Sequence, residues 1–119
     1  MAQARFDNYK NQKLQFTFPS HFDGKLPVID ASKPRPKAAI IREKGSNSER
    51  EMANAMYLAG FDVKDIHMTD LISGRENLED IQFIGAVGGF SNSDVLGSAK
   101  GWAGAFLYNE KAKTALDNF

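Results

Sequence analysis

Lys37-Ala38-Ala39-Ile40-Ile41-Arg42-Glu43-Lys44-Gly45-Ser46-Asn47-Ser48-Glu49-Arg50-Glu51-Met52 decides how the rest of the chain is read. It opens on an unbroken apolar run, Ala38 to Ile41, that ends in charge and then in Gly45. Such a run reads as a buried strand entering a loop. Ser46 and Ser48 are followed three residues later by Glu49 and Glu51, the capping-box spacing that announces a helix. Met52, Ala55, Met56 and Ala59 then recur at helical spacing, and Gly60 supplies a stop.

Beyond Gly60 the alternation continues. Phe61-Asp62-Val63-Lys64-Asp65-Ile66-His67-Met68 reads as a second strand. Residues 69–81 form a polar crossing with a helical turn expected at 77–81. Phe83-Ile84-Gly85-Ala86-Val87 reads as a third buried strand and runs into Gly88-Gly89-Phe90-Ser91. Val95, Leu96, Ala99, Trp102, Ala103 and Phe106 share one face of an expected helix, thinned by Gly97, Gly101 and Gly104. Asn109 is placed to cap a last helix, with Ala112, Ala115, Leu116 and Phe119 turned inward. The order strand, helix, strand, crossing, strand, helix, helix predicts an α/β unit: a short parallel sheet with helices on both faces. Rossmann-like and flavodoxin-like strand orders both fit. In either, ligands sit beyond the carboxyl ends of the strands, where the loops 42–48 and 88–94 fall.

Residues 1–36 follow a different grammar. All four prolines lie there, at Pro19, Pro27, Pro34 and Pro36. Leu14, Phe16 and Phe18 alternate with Gln15 and Thr17, which predicts one short strand in an otherwise extended arm. The expected division is therefore a connector over 1–36 and an α/β unit over 37–119.

Composition narrows the function classes. Fifteen basic residues balance fifteen acidic ones in 119, so no net charge draws the chain to nucleic acid. Hydrophobic residues at 42% suffice for a packed core. The absence of cysteine excludes disulfides, cysteine-ligated metal and a thiolate nucleophile within these residues. No apolar stretch approaches the roughly 20 residues that a membrane helix requires, nor is there a signal-peptide pattern, and a cytoplasmic protein is expected.

Taken alone, Gly88-Gly89-Phe90-Ser91 serves two readings: a tight turn that needs glycine, or a backbone cradle for an anion or a developing oxyanion. No phosphate-loop spacing is present, and Gly97-Ser98-Ala99-Lys100-Gly101 matches one only superficially, with Lys100 expected in solvent. His21 and His67 lack partners at metal-ligand spacing, so no metal site is expected. No Gly-x-Ser-x-Gly elbow supports a serine triad. Ser93 and Asp94 read as helix caps, and Trp102 and Phe106 as core. From the residues alone, a catalytic domain and a non-catalytic module binding a small ligand or a protein both stand.

Four stretches taken together are more specific. Residues 35–53, Tyr57-Leu58-Ala59-Gly60-Phe61, His67-Met68-Thr69-Asp70-Leu71, and the run from Gly88 through Asp94-Val95-Leu96-Gly97-Ser98-Ala99-Lys100-Gly101-Trp102-Ala103 resemble the start of the glutaminase domain of the large, single-chain phosphoribosylformylglycinamidine synthases. These are class I, triad-type glutamine amidotransferases of purine biosynthesis. The resemblance implies a partial flavodoxin-like three-layer unit, the first half of that domain. It implies that Gly88, Gly89 and Phe90 form the oxyanion turn, with Ser91 and Asp94 flanking the glutamine pocket or capping the helix. Arg42, Gly45 and Asn47 match the pocket loop after the first strand. The family's motif carries tyrosine and then glycine or alanine after Gly-Gly-Phe-Ser, where this chain has Asn92 and Ser93. The family's nucleophilic cysteine, histidine and glutamate have no counterpart here, so this chain alone is expected to be inactive. ATP and magnesium are implied for the whole synthase and for no residue of this chain. The expected partners are glutamine, the remainder of the synthase, and a second copy of the chain through an open sheet edge.

Overall fold

The computed structural model describes residues 2–11 and 15–119. Its elements are α1 (Ala2–Asn11), β1 (Lys37–Arg42), α2 (Glu49–Leu58), β2 (Asp62–His67), α3 (Met68–Ser73), β3 (Phe83–Ala86), α4 (Ala99–Tyr108) and α5 (Glu110–Asp117). All three strands are parallel, in the order β2-β1-β3. That order selects the flavodoxin-like arrangement, because a Rossmann sheet places its second strand between the first and third.

β1 sits in the middle and is buried on both faces, as its apolar run requires. Its alternating side chains divide the core. Ala38 and Ile40 face Met56 of α2, together with Val87 and the half-buried Ala53, Phe61 and Val63. Ala39 and Ile41 face the other way, into a cluster with Ile66, Met68, Leu71, Leu78, Ile81, Ala112 and Ala115, flanked by Trp102 and Phe106. The result is three layers: α2, the sheet, and the group α3, α4 and α5.

Several local expectations are corrected. Neither Ser46 nor Ser48 caps α2 through its side chain. Ser48 takes left-handed backbone at φ 69°, and its hydroxyl turns to Asn47 Oδ1 at 3.4 Å. In α2 Met56 is buried and Ala53 half-buried, while Met52 and Ala55 of the expected stripe are exposed, as is Ala59 just past the helix. Gly60 does end the helix: at φ 105° it lets Phe61 N–H reach Met56 C=O at 3.0 Å, while its own N–H reaches Tyr57 C=O at 3.0 Å. In the crossing, the helix lies at α3 and not at 77–81. His67 N–H donates to Asp70 Oδ2 at 3.2 Å, and Thr69 N–H donates to His67 Nδ1 at 3.2 Å, so histidine serves where serine or aspartate is usual. Leu78 and Ile81, in the turn that follows, are buried plugs.

β3 is an edge strand. Phe83 is 45% exposed and the strand is half-buried rather than buried. α4 begins at Ala99, so Val95 and Leu96 stay exposed before it. Asn109 caps α5 as expected, its Oδ1 accepting from Ala112 N–H at 3.0 Å. Ala112 and Ala115 point inward, whereas Leu116 and Phe119 remain exposed because only one side of α5 meets the core.

Before β1, α1 replaces what was expected to be extended chain, and residues 15–36 contain neither helix nor strand. The expected strand at 14–18 is absent over 15–18, and Leu14 lies outside the described residues. Alternation alone cannot make a strand without a neighbour for its N–H and C=O groups. Phe16 and Phe18 are exposed, the latter stacked on Phe22 with ring centroids 5.0 Å apart. The end of this segment is anchored. Arg35 Nη1 donates to the carbonyls of Tyr57 (3.1 Å) and Phe61 (3.3 Å), and its guanidinium lies 4.2 Å from the centre of the Tyr57 ring.

Candidate functional site

Past the carboxyl end of the sheet, the loops after β1 and β3 are joined. Val87 N–H donates to Ile41 C=O at 3.2 Å, carrying the pairing beyond β3. Asn47 N–H then donates to Gly88 C=O at 2.8 Å, and Asn92 N–H to Lys44 C=O at 2.9 Å. Ser46 and Gly89 pair antiparallel between them. The first loop is closed on itself by Ser46, whose hydroxyl donates to Glu43 C=O at 2.7 Å and accepts from Glu43 N–H at 3.1 Å.

Two glycines make this junction possible. At Gly45, with φ 84°, a Cβ would stand 2.2 Å from Phe90 C=O oxygen. At Gly89, with φ 125°, it would meet Asn47 N at 2.9 Å and Gly45 O at 3.0 Å. Gly88 differs: nothing lies within 4 Å of where its Cβ would be. No neighbour in this fold demands glycine there, and Gly88 lines a pocket of about 350 Å³. Gly88, Gly89, Ser91, Ser98, Ala99 and Trp102 line it.

Among the residues expected to form the site, Gly45, Asn47, Gly88, Gly89, Phe90 and Ser91 are brought together. Ser91 is buried, while Phe90 is 67% exposed. Arg42 directs its guanidinium to β2, where Nε meets both oxygens of Asp65 at 2.8 and 3.1 Å. That hydrogen bond holds the arginine charged and pushes its pKa up. Asp94 is exposed, with left-handed backbone at φ 57°. Ser93 and Asp94 therefore do not cap α4; they belong to a turn that delays it. Trp102, expected in the core, touches the core with one part and forms a wall of the pocket with another. The sequence places Ala99 on the helix face and marks Asn92 as a departure from the family's motif, but assigns no site role to Ser98 or Ala99. The clustered glycines at 97, 101 and 104 were the available sign that this helix approaches something closely.

Fold and site together define a class: a flavodoxin-like α/β unit whose glycine turn, past the third strand, borders a pocket. Residues 35–119 match the CobB/CobQ-like glutamine amidotransferase domain, and the chain belongs to that family. It is also 52% identical over 86 residues to the phosphoribosylformylglycinamidine synthase of Homo sapiens. The match covers 72% of this chain and 6% of the human protein, so the chain spans a small part of that relative's length.

Proposed function

We propose that residues 35–119 are the first part of the glutaminase half of a phosphoribosylformylglycinamidine synthase, and that the 88–91 turn stabilises the oxyanion formed from glutamine. The observation that carries this reading is Gly88, a glycine that no protein neighbour requires, opening onto the pocket. In the reaction, a thiolate attacks the side-chain amide carbon of glutamine and the carbonyl oxygen becomes an oxyanion. A backbone N–H of the turn faces that oxygen, where one such donor is worth about 10²–10³ in rate. Collapse gives a thioester and releases ammonia, and water then hydrolyses the thioester to glutamate. The sequence contains no cysteine, so the thiolate comes from outside these 119 residues. Ammonia goes on to attack the glycinamide carbonyl carbon of the nucleotide substrate, whose oxygen ATP has phosphorylated; the C–O bond breaks, the oxygen leaves within the phosphate, and the amide becomes an amidine. ATP and magnesium are proposed to serve the remainder of the synthase.

The test is a chimera in which residues 35–119 replace the matching segment of the human synthase. Synthesis driven by glutamine is expected to persist. A chimera that uses free ammonia but not glutamine would overturn the proposal. The isolated chain, given glutamine, is expected to release no ammonia above the buffer rate.

Two further properties belong to this reading. The open edge of β3, with Phe83 exposed, favours self-association of the isolated chain, which sedimentation would refute by showing a monomer at high concentration. No helix among the described residues is long and apolar enough to cross a membrane. A cytoplasmic location is proposed from the likeness to the synthase, and cell fractionation checks it.

A further inference from the structure

Asn92, Ser93 and Asp94 hold left-handed backbone in succession, at φ 52°, 63° and 57°. L-residues avoid that region, and asparagine is among the few that tolerate it. Asn92 also sits at a junction. Its N–H donates to Lys44 C=O at 2.9 Å, on the loop after β1. Its side-chain amide lies over Gly101 in the first half of α4, where a Cβ would come within 2.9 Å of Nδ2. Gly101 does not have positive φ, so the helix backbone there has no need of glycine; what glycine provides is room for the amide. A glycine inside a helix is otherwise unfavourable.

We propose that Asn92 is a positioning residue for the pocket. Bridging Lys44 and Gly101, it holds the 88–91 turn between the 43–47 loop and α4, and so sets the separation between Gly88 on one wall and Ser98 and Trp102 on the other. Asparagine meets both requirements of the position, left-handed backbone and an amide that fits over Gly101. That the pocket takes glutamine rests on the function proposed above; that Asn92 holds the turn does not.

The experiment is amide hydrogen exchange, followed by NMR on the ¹⁵N-labelled chain, for wild type, Asn92→Gly, Asn92→Asp and Gly101→Ala. Asn92→Gly keeps the backbone conformation and removes the amide. It is expected to speed exchange at Asn47 N–H and at residue 92 by about tenfold and to shift the Gly88 and Gly89 resonances, with Ile40 and Ile66 unchanged. Asn92→Asp, which retains the shape, is expected to restore protection to within about threefold of wild type. Gly101→Ala should reproduce Asn92→Gly. Unchanged exchange at Asn47 in Asn92→Gly overturns the proposal, whether or not Gly101→Ala folds. Adding glutamine to the wild type separates the two readings: an unmoved Gly88 resonance counts against the glutamine pocket and leaves the exchange comparison standing.

Discussion

At the amino end of the sheet, Lys37 reaches Asp80 through exposed side chains. At the carboxyl end, the loops after β1 and β3 join through backbone groups, and glycines decide whether they can meet. Exposed ion pairs are screened, and their long side chains can reorganise when one partner is lost. Backbone contacts at van der Waals distance have no such slack. The sheet thus has a forgiving end and an exacting end, and the exacting one borders the pocket.

The largest effect is expected from Gly45→Ala. Its Cβ would fall 2.2 Å from Phe90 O on a backbone at φ 84°. The loops must part, lowering stability by about 3 kcal/mol in denaturant titration. A loss below about 1 kcal/mol would show that the junction has slack after all. Gly88→Ala probes the same end in the opposite sense. With open space at its Cβ and no positive φ, it should leave stability unchanged or raise it by up to about 1 kcal/mol. In the synthase chimera the same change should depress glutamine-driven synthesis while sparing ammonia-driven synthesis. Equal loss of both would remove Gly88 from the site.

The smallest effect belongs to the amino end. Hydrogen bonding to Lys37 holds Asp80 below the ordinary aspartate value of 3.8, and Asp80 raises Lys37 above 10.5. The carboxylate's contribution is present above 3.8 and fades as pH falls through its lower folded value. The ammonium's contribution is present below 10.5 and fades as pH rises through its higher folded value. Asp80→Asn should therefore differ from wild type by at most a barely resolvable shift in midpoint at neutral pH. That shift should vanish in acid and in high salt. A large, salt-resistant change would cancel the contrast between the two ends.

What the sequence disclosed follows the same division. The apolar run at 38–41 reports burial directly and became a strand buried on both faces; the run at 83–87 and the alternation at 61–68 also became strands, but as edge strands they are only partly buried. Asn109 announced α5 because its cap is a contact between near neighbours. The start of α4 was misplaced because Asn92, Ser93 and Asp94 adopt left-handed backbone under tertiary contacts, with Lys44 and Gly101 as partners. α3 was missed because a histidine opens it in place of the usual capping residues. The strand expected at 14–18 failed for want of a neighbour, which a local pattern cannot supply. In the site, resemblance pointed to Gly45, Gly88 and Gly89, but only coordinates show that two of these glycines serve the fold and the third leaves space. Arg42 reads as a loop residue by position, yet its head group is committed to β2 by Asp65.

The Arg35 anchor carries a consequence for where this unit begins. Composition changes after Pro36, but the guanidinium supplies a counter-charge to the carboxyl end of α2 and donates to the carbonyls of Tyr57 and Phe61. Ile29 adds to this by covering Gly60, whose own backbone terminates the same helix. A piece trimmed to start at Lys37 would keep every strand of the sheet and lose the fastening on one of its covering helices. The dividing line visible in the letters of the sequence therefore lies inside a mechanical unit that reaches back to Ile29.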